Sequence, residues 1–473
     1  MAKLYTEDQV QELLRPLTET IAQQQRQIAQ LQQEIARLQQ EIARLKKNSS
    51  NSSKPPSSDI VKPPKKTVKR TKGKRRKGAQ KGHPRHERTA FTEEQLDYQV
   101  SYELDLDPSE WEPLDEWDTV QQIELKESPV EITEHRARRY RNRCTGDVVS
   151  TGLPEEVKAA GLVGPRLTAY IAFLKGACHM SYTSIQTLLA DVFGVQLSTG
   201  QLAKITTRKV SAALAEPYDE LRAALPDQEH VGVDETGHKD QGQRHWTWCF
   251  RTRSFIVFFI ASSRGSKVLK EVLGAAFSGV INCDYFSAYR KFMKDSSAIM
   301  QFCLAHLIRD LKYLADLNDK VTRNWARRML AEFEELFALI HRREQLSARY
   351  FQTQLERRRD RLIRQFKSAP DRPGVRDLRQ RFKLHAKQFF TFVTTPDIEP
   401  TNNLTEQAIR YIVIDRKVTQ GTRGDKGQRW SERIWTLLST CRLQRRSSFL
   451  FLCEAVCAFF KGESSPSLLP QPP

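Results

Sequence analysis

The residues of this chain best suited to chemistry are three acids in its C-terminal half, Asp234, Asp284 and Glu406. Two aspartates and a glutamate held together can bind two divalent cations, which activate an attacking water or hydroxyl and stabilise a leaving oxygen. Hard oxygen ligands of this kind suit Mg²⁺, with Mn²⁺ as a substitute. Taken singly, the acids say less. Asp234-Glu235-Thr236-Gly237 fits any strand-to-turn junction, and Glu406 fits any surface acid. Their meaning rests on the elements that carry them.

His230 to Gly237 reads as a short apolar strand ending in acids and a turn. Residues 244–265 supply two further strands, with a turn near Thr252 and Arg253. Residues 266–276 suit a helix, and GVINCDYFSAY, 279–289, is a fourth strand ending at Asp284. Three antiparallel strands, a helix and a parallel strand open a ribonuclease-H-like sheet, and this order puts Asp234 and Asp284 on adjacent strands. A helix follows over residues 404–417, with Asn402 or Asn403 as its cap and Glu406 in its first turn, where the helix dipole stabilises a carboxylate. Glu235 should face away from Asp234, because successive strand side chains alternate. Glu406 lies 122 positions after Asp284, and the stretch between them is mostly helical and basic. It reads as an insertion, about 318–395, in a catalytic domain over 229–440.

The 76 Lys and Arg outnumber the 57 Asp and Glu, for a net charge of +19, which calls for a polyanionic partner. No run of about 18 apolar residues exists, so no membrane span is expected, and double-stranded DNA is favoured over a lipid surface. Eight scattered cysteines and a polar N-terminus fit a cytoplasmic, DNA-associated protein.

The rest of the chain divides by composition. In residues 10–47, Leu14, Ile21, Ile28, Ile35 and Ile42 recur every seven positions, with Leu17, Leu31, Leu38 and Leu45 on the second seam. This heptad pattern predicts a parallel coiled coil that makes the chain a homo-oligomer. Residues 48–90 read as a disordered linker. Ten of the twenty residues from Val61 to Gln80 are Lys or Arg, and Lys69, Arg70, Arg75 and Arg76 are expected on DNA phosphates. Residues 91–160 suit a small zinc-ribbon-like module, with short strands over 121–143. Cys144 has no CxxC partner there, so zinc is not expected.

Residues 161–220 look like a helix-turn-helix. Ser181 caps one helix, Gly194 ends it, and Ser198 or Thr199 caps the next, which carries Lys204, Arg208 and Lys209 toward DNA. A structural helical bundle is the alternative. Residues 441–473 form a C-terminal helix over 445–460 and, from Glu463, a frayed tail.

Cys303 and His306 share one face of a helix over 302–317. They are two ligands, fewer than a zinc site needs. Packing by Cys303 and a DNA or active-site contact by His306 both remain open. Arg309 on the same face, Arg410 four residues after Glu406, and Arg416, Lys417 and Arg423 near a glycine-rich stretch are candidates for phosphate. That stretch lacks the P-loop spacing, so nucleotide binding is not supported.

Several motifs in order carry a family likeness. They are NSSNSSKPPSSD at 48–59, VDETG at 233–237, CDYFSAY at 283–289, CLAH at 303–306, NNLTEQAIR at 402–410 and RKVTQGTRGDKGQRW at 416–430. With the coiled coil they resemble the insertion-sequence-sixty-six transposases, a bacterial DDE-type family, over nearly the whole chain. The resemblance implies Asp234, Asp284 and Glu406 as catalytic triad and metal ligands. It also implies strand cleavage at mobile-element ends, transfer of the 3′ hydroxyl to target DNA without a covalent protein–DNA intermediate, and accessory element-encoded proteins. Members commonly carry a cysteine-rich zinc segment of which only Cys144 remains here. The alternatives are a non-catalytic DNA-binding regulator and a related metal-dependent nuclease.

Overall fold

The N-terminal heptads form one continuous helix, α1 (Glu7–Lys46), which takes Pro16 inside its length. The computed structural model describes residues 7–46, 90–102, 115, 119–126 and 129–470. The candidate phosphate contacts Lys69, Arg70, Arg75 and Arg76 lie outside those residues. On α1 the seam residues Leu14, Ile21, Ile28, Leu31, Ile35 and Leu38 stay uncovered, Ile28 at 54% and Leu31 at 63% exposure. Of the strands expected over 121–143, only β1 (Arg139–Arg141) pairs among the described residues, with β2 (Val148–Ser150). The hairpin is exposed and buries no apolar face, so it gives the flanking residues nothing to pack on. Cys144 sits in its turn as an exposed free thiol.

The helical region follows its caps. Pro165 opens α2 (Pro165–Gly176) at a position where its missing N–H goes unused. Ser181 Oγ accepts from Ser184 N at 3.0 Å to start α3 (Tyr182–Phe193), and Gly194 ends it in the left-handed region. Ser198 and Gln201 form a reciprocal capping box at 3.2 and 2.8 Å, starting α4 (Thr199–Lys204). That helix runs on into a π-helical turn over Ile205–Val210.

The core is a five-stranded mixed sheet of β3 (His230–Asp240), β4 (Gln243–Arg251), β5 (Ile256–Ala261), β6 (Val280–Cys283) and β7 (Ile299–Phe302), in the order β5-β4-β3-β6-β7. β3, β4 and β5 are antiparallel, and β6 and β7 run parallel to β3. The connection from β5 to β6, which pairs parallel with β3, carries helix α5 (Ser266–Leu273). This mixed α/β order is consistent with a ribonuclease-H-like core. β3 does not stop at its acids. It runs on to Asp240, held by nine antiparallel pairs with β4, and turns at Gln241 and Gly242. β7 is a strand with no counterpart in the sequence reading; four residues are too few to display a period.

Both sheet edges are covered. After α6 (Ser287–Asp295) and β7 come α7 (Leu304–Ala315) and the insertion, α8 (Lys320–His341), α9 (Ala348–Lys367) and α10 (Val375–His385). The insertion returns along β7, where Thr391 Oγ1 donates to Met300 O at 2.6 Å and Gln301 Nε2 to Phe389 O at 3.2 Å. A stacked aromatic column runs from Phe366 through Phe382 to Phe389 and Tyr285, so the insertion packs directly beneath the turn that carries Asp284.

At the other edge, α11 (Asn403–Thr419) leads to α12 (Asp425–Leu443), which lies along β5. Glu432 Oε1, Thr436 Oγ1 and Thr440 Oγ1 accept from Ile260, Phe258 and Ile256 N at 2.7, 3.0 and 3.1 Å. Four helical residues rise about 6 Å and two strand residues about 6.6 Å, so the two repeats match over this length. The edge strand is thereby capped by side chains instead of another strand.

α13 (Ser448–Lys461) returns to the helical region, where Phe449 meets Tyr170 and Phe173 edge-on. Within 464–470, where a frayed tail is expected, the chain is pinned. Leu468 is 1% exposed, and Ser465 Oγ donates to Ala213 O at 2.7 Å. No helix among the described residues is long and apolar enough to cross a membrane.

Candidate active site

Asp234 stands on central strand β3, Asp284 immediately after β6, and Glu406 in the first turn of α11. What lets α11 approach the sheet is Gly232. A Cβ at that position would collide with Thr405 Oγ1, so a larger residue would push the helix away. Asn402 occupies the N-cap position, yet its side chain does not cap the helix. Its Nδ2 donates instead to Val233 O at 2.8 Å, fastening the helix start to β3 next to Asp234. The preceding loop is laced to β6, with Asn282 Nδ2 donating to Glu399 O and Thr401 O at 2.8 and 3.1 Å.

This arrangement crowds negative charge. Asp234 is pushed well above the usual carboxylate range by burial and by the charges of Glu235, Asp284 and Glu406, although Glu235 N donates to its Oδ1 at 2.9 Å. Asp284 is pushed up to about 7 by burial and then by Glu235. A hydrogen bond from Phe286 N at 2.9 Å and the nearby Arg264 cation oppose that rise. The three expected acids therefore act on one another electrostatically.

Glu235 does turn from Asp234 into the core. At 2% exposure it accepts from Arg264 Nε at 2.7 Å and from the Tyr289 hydroxyl. The Arg264 guanidinium also lies 3.9 Å over the ring of Phe286, the residue whose own N–H holds Asp284. Arg264 and Tyr289 were not singled out from the sequence. The available signal was a lone arginine directly after an apolar strand, where nothing local explains it.

Glu406 has cationic and ligand-type neighbours. Arg309 Nη2 donates to its Oε1 at 3.0 Å, and His306 Nδ1 lies 3.5 Å from the same oxygen. His306 is buried, and burial followed by Arg309 pushes its pKa down to about 3, leaving a neutral imidazole. Burial pushes the Cys303 thiol up to about 11 against hydrogen bonds from nearby N–H groups. Cys303, His306 and Glu406 are the group of potential metal ligands found among the described residues, their donor atoms all within 4.8 Å of one another. The structure thus adds a third donor to the Cys303–His306 pair.

The other basic candidates separate clearly. Arg410, Lys417 and Arg423 are exposed, as are Lys204 and Arg208. Arg416 is half-buried and donates to Thr236 Oγ1 at 3.2 Å. Lys209 turns inward, its Nζ 2.7 Å from Ala160 O at the end of a short helix. The glycine-rich stretch is sewn to β3: Thr422 N donates to Lys239 O at 2.9 Å, and Asp240 Oδ1 accepts from Thr422 Oγ1 and Gly424 N at 2.7 and 2.8 Å. Gly421, at φ 110°, sits against the Lys239 carbonyl where a Cβ would clash.

A mixed sheet with acids on its central strands and on a helix laid against them defines the catalytic-type core of this chain. Residues 160–429 match the sequence model described as Transposase IS66 family, and the chain belongs to that family. Residues 6–89 match a family of unknown function. The chain is also 25% identical over 342 residues to the uncharacterized protein y4hP of Sinorhizobium fredii, a stretch covering 63% of this chain and 59% of that protein.

Proposed function

We propose that the chain is a DNA transposase that cleaves a strand at the end of a mobile element and joins the freed 3′ hydroxyl to target DNA. The observation that carries this reading is membership of the transposase family, and it is supported by Asp284 and Glu406 each raising the pKa of Asp234. Burial and neighbouring carboxylates raise the pKa of both Asp234 and Asp284, which fits a site completed by positive charge. Asp234, Asp284 and Glu406 are the residues that would hold Mg²⁺ or Mn²⁺. When bound, such ions lower the pKa of the attacking oxygen and offset charge on the leaving one.

In the first step a water oxygen bonds to phosphorus and the 3′ oxygen leaves, to be protonated as a hydroxyl. In the second, that hydroxyl oxygen loses its proton and bonds to a target phosphorus, and a target 3′ oxygen leaves. No protein nucleophile enters either step. Arg309 holds the Glu406 carboxylate, while Phe286 N and the Arg264–Glu235–Tyr289 group hold the turn at Asp284. Exposed Arg410, Lys417 and Arg423 supply charge for DNA phosphates beside the acids, and Lys204 and Arg208 supply it on the helical region. The exposed seam of α1 supports self-association.

The test gives the purified chain a labelled element end, target DNA and Mg²⁺, with any accessory proteins present. End-specific nicking and strand transfer are expected from the intact chain and not from Asp234→Asn. Nicking without joining would assign a nuclease, and binding without cleavage a regulator.

A further inference from the structure

Beside the acids lies a donor set of different chemistry. Cys303 is the N-cap of α7 and His306 lies in its first turn, three positions on, so both face the same side. Glu406 comes from the facing first turn of α11. The two helix starts are tied together: Leu304 N donates to Pro400 O at 2.9 Å, Asn402 N to Cys303 Sγ at 3.1 Å, and Cys303 N to Cys283 O at 2.8 Å. The thiol, imidazole and carboxylate donors are thereby preset within 4.8 Å of one another.

One atom of this set is unexplained by the fold. His306 Nδ1 is buried with no hydrogen-bond partner; the Glu406 oxygen 3.5 Å away is not aligned to make one. Leaving such a group unsatisfied is unfavourable by about 1–3 kcal/mol relative to a bonded one in general. A ligand that accepts its lone pair would remove that penalty.

We propose that Cys303 Sγ, His306 Nδ1 and a Glu406 oxygen form a binding site for a borderline-soft divalent cation of the Zn²⁺ kind. Sulfur and imidazole nitrogen select such an ion over Mg²⁺, which prefers oxygen alone. Three protein ligands leave a fourth tetrahedral position for water. On binding, the Cys303 thiol releases its proton to solvent, and the positive ends of the two helices favour the resulting thiolate and the carboxylate. Arg309 is the competitor, because its guanidinium holds the same Glu406 oxygen at 3.0 Å. A consequence rests on the proposed role of Glu406 in the acidic centre: an ion here takes that carboxylate away, so Zn²⁺ opposes the Mg²⁺-dependent reaction.

The test uses the full chain, stripped with chelator and titrated with Co²⁺ as a spectroscopic probe. One equivalent is expected to give the visible bands of tetrahedral Co²⁺ and a thiolate-to-metal absorption. Zn²⁺ should displace it and excess Mg²⁺ should not. Cys303→Ser should abolish the thiolate band. His306→Gln and Glu406→Gln should each weaken binding by more than about 10-fold, the lower bound set by outer-shell substitutions. Arg309→Met should tighten it. A titration with no thiolate band, or a band that survives Cys303→Ser in a chain with native circular dichroism, overturns the site. If Cys303→Ser does not fold, unchanged affinity in both His306→Gln and Arg309→Met overturns it equally. Cobalt binding at this site without inhibition of cleavage by Zn²⁺ would leave the metal site standing and remove Glu406 from the acidic centre.

Discussion

Arg309 Nη2 donates to Glu406 Oε1 at 3.0 Å, joining the second turn of α7 to the first turn of α11 across 97 positions of sequence. The pair restricts the carboxylate that the Cys303 thiol and the His306 imidazole also approach. Arg309→Met is expected to lower the rate constant of end cleavage by about 100-fold, the scale of a misplacement near 1 Å. DNA affinity should change far less, since Arg309 is mostly buried against Glu406 instead of facing solvent. Arg309→Lys should recover part of the loss, because it restores charge without the planar fork. A loss confined to DNA affinity in binding and single-turnover assays would make Arg309 a phosphate contact instead.

Gly232 sets the distance between β3 and α11. In Gly232→Ala the new methyl meets Thr405 Oγ1, so the helix must shift and carry Glu406 with it. The expected destabilisation is about 1–3 kcal/mol, the usual range for overpacking, with cleavage lost. Adding Thr405→Ala should restore part of both. Urea unfolding and end nicking on the single and double variants check this; additive effects would count against the contact.

The crowded acids make stability depend on pH. Asp284 is raised to about 7, so the folded chain keeps a proton that the unfolded chain, near 3.8, has released. Its favourable contribution is complete below about 3.8 and is lost as pH rises toward 7 and beyond. Metal-free protein should lose melting temperature across that window, Asp284→Asn should flatten the loss, and Mg²⁺ should offset it at neutral pH. Identical melting profiles for the parent and the Asn variant would remove Asp284 from this linkage.

Thr436 accepts the N–H of Phe258 on the sheet edge, at 3.0 Å. Thr436→Val keeps the shape and strands a buried donor, which destabilises by about 1–3 kcal/mol, whereas Thr436→Ser should stay within about 1 kcal/mol. Equal midpoints for the Val and Ser variants in urea unfolding would show that α12 covers β5 by packing alone.

How much of this was legible beforehand follows from how local each signal is. Ser181 and Gly194 mark helix ends correctly, and of the two candidate caps Ser198 and Thr199 the structure uses Ser198, because each signal acts within four residues of itself. The meander from His230 to Ala261 was legible from its apolar runs and turn. The strands expected over 121–143 mostly failed, because β-pattern without a surface to bury on does not organise a sheet. The tail after Glu463 was misread for the opposite reason. Its composition suggested fraying, but Leu468 finds a buried place that only the folded chain provides.

The sequence by itself determined which residue types were present for chemistry, the order of the strands that carry Asp234 and Asp284, and the helix that carries Glu406. Tertiary structure alone decided that Asn402 serves β3 instead of its own helix, that Lys209 turns inward, and that Glu406 meets Arg309, His306 and Cys303. These relations have no sequence period, because they depend on where chain segments 49 to 169 positions apart come to rest. Only the close passage of α11 over Gly232, and the bonds that lock it there, bring those side chains within reach.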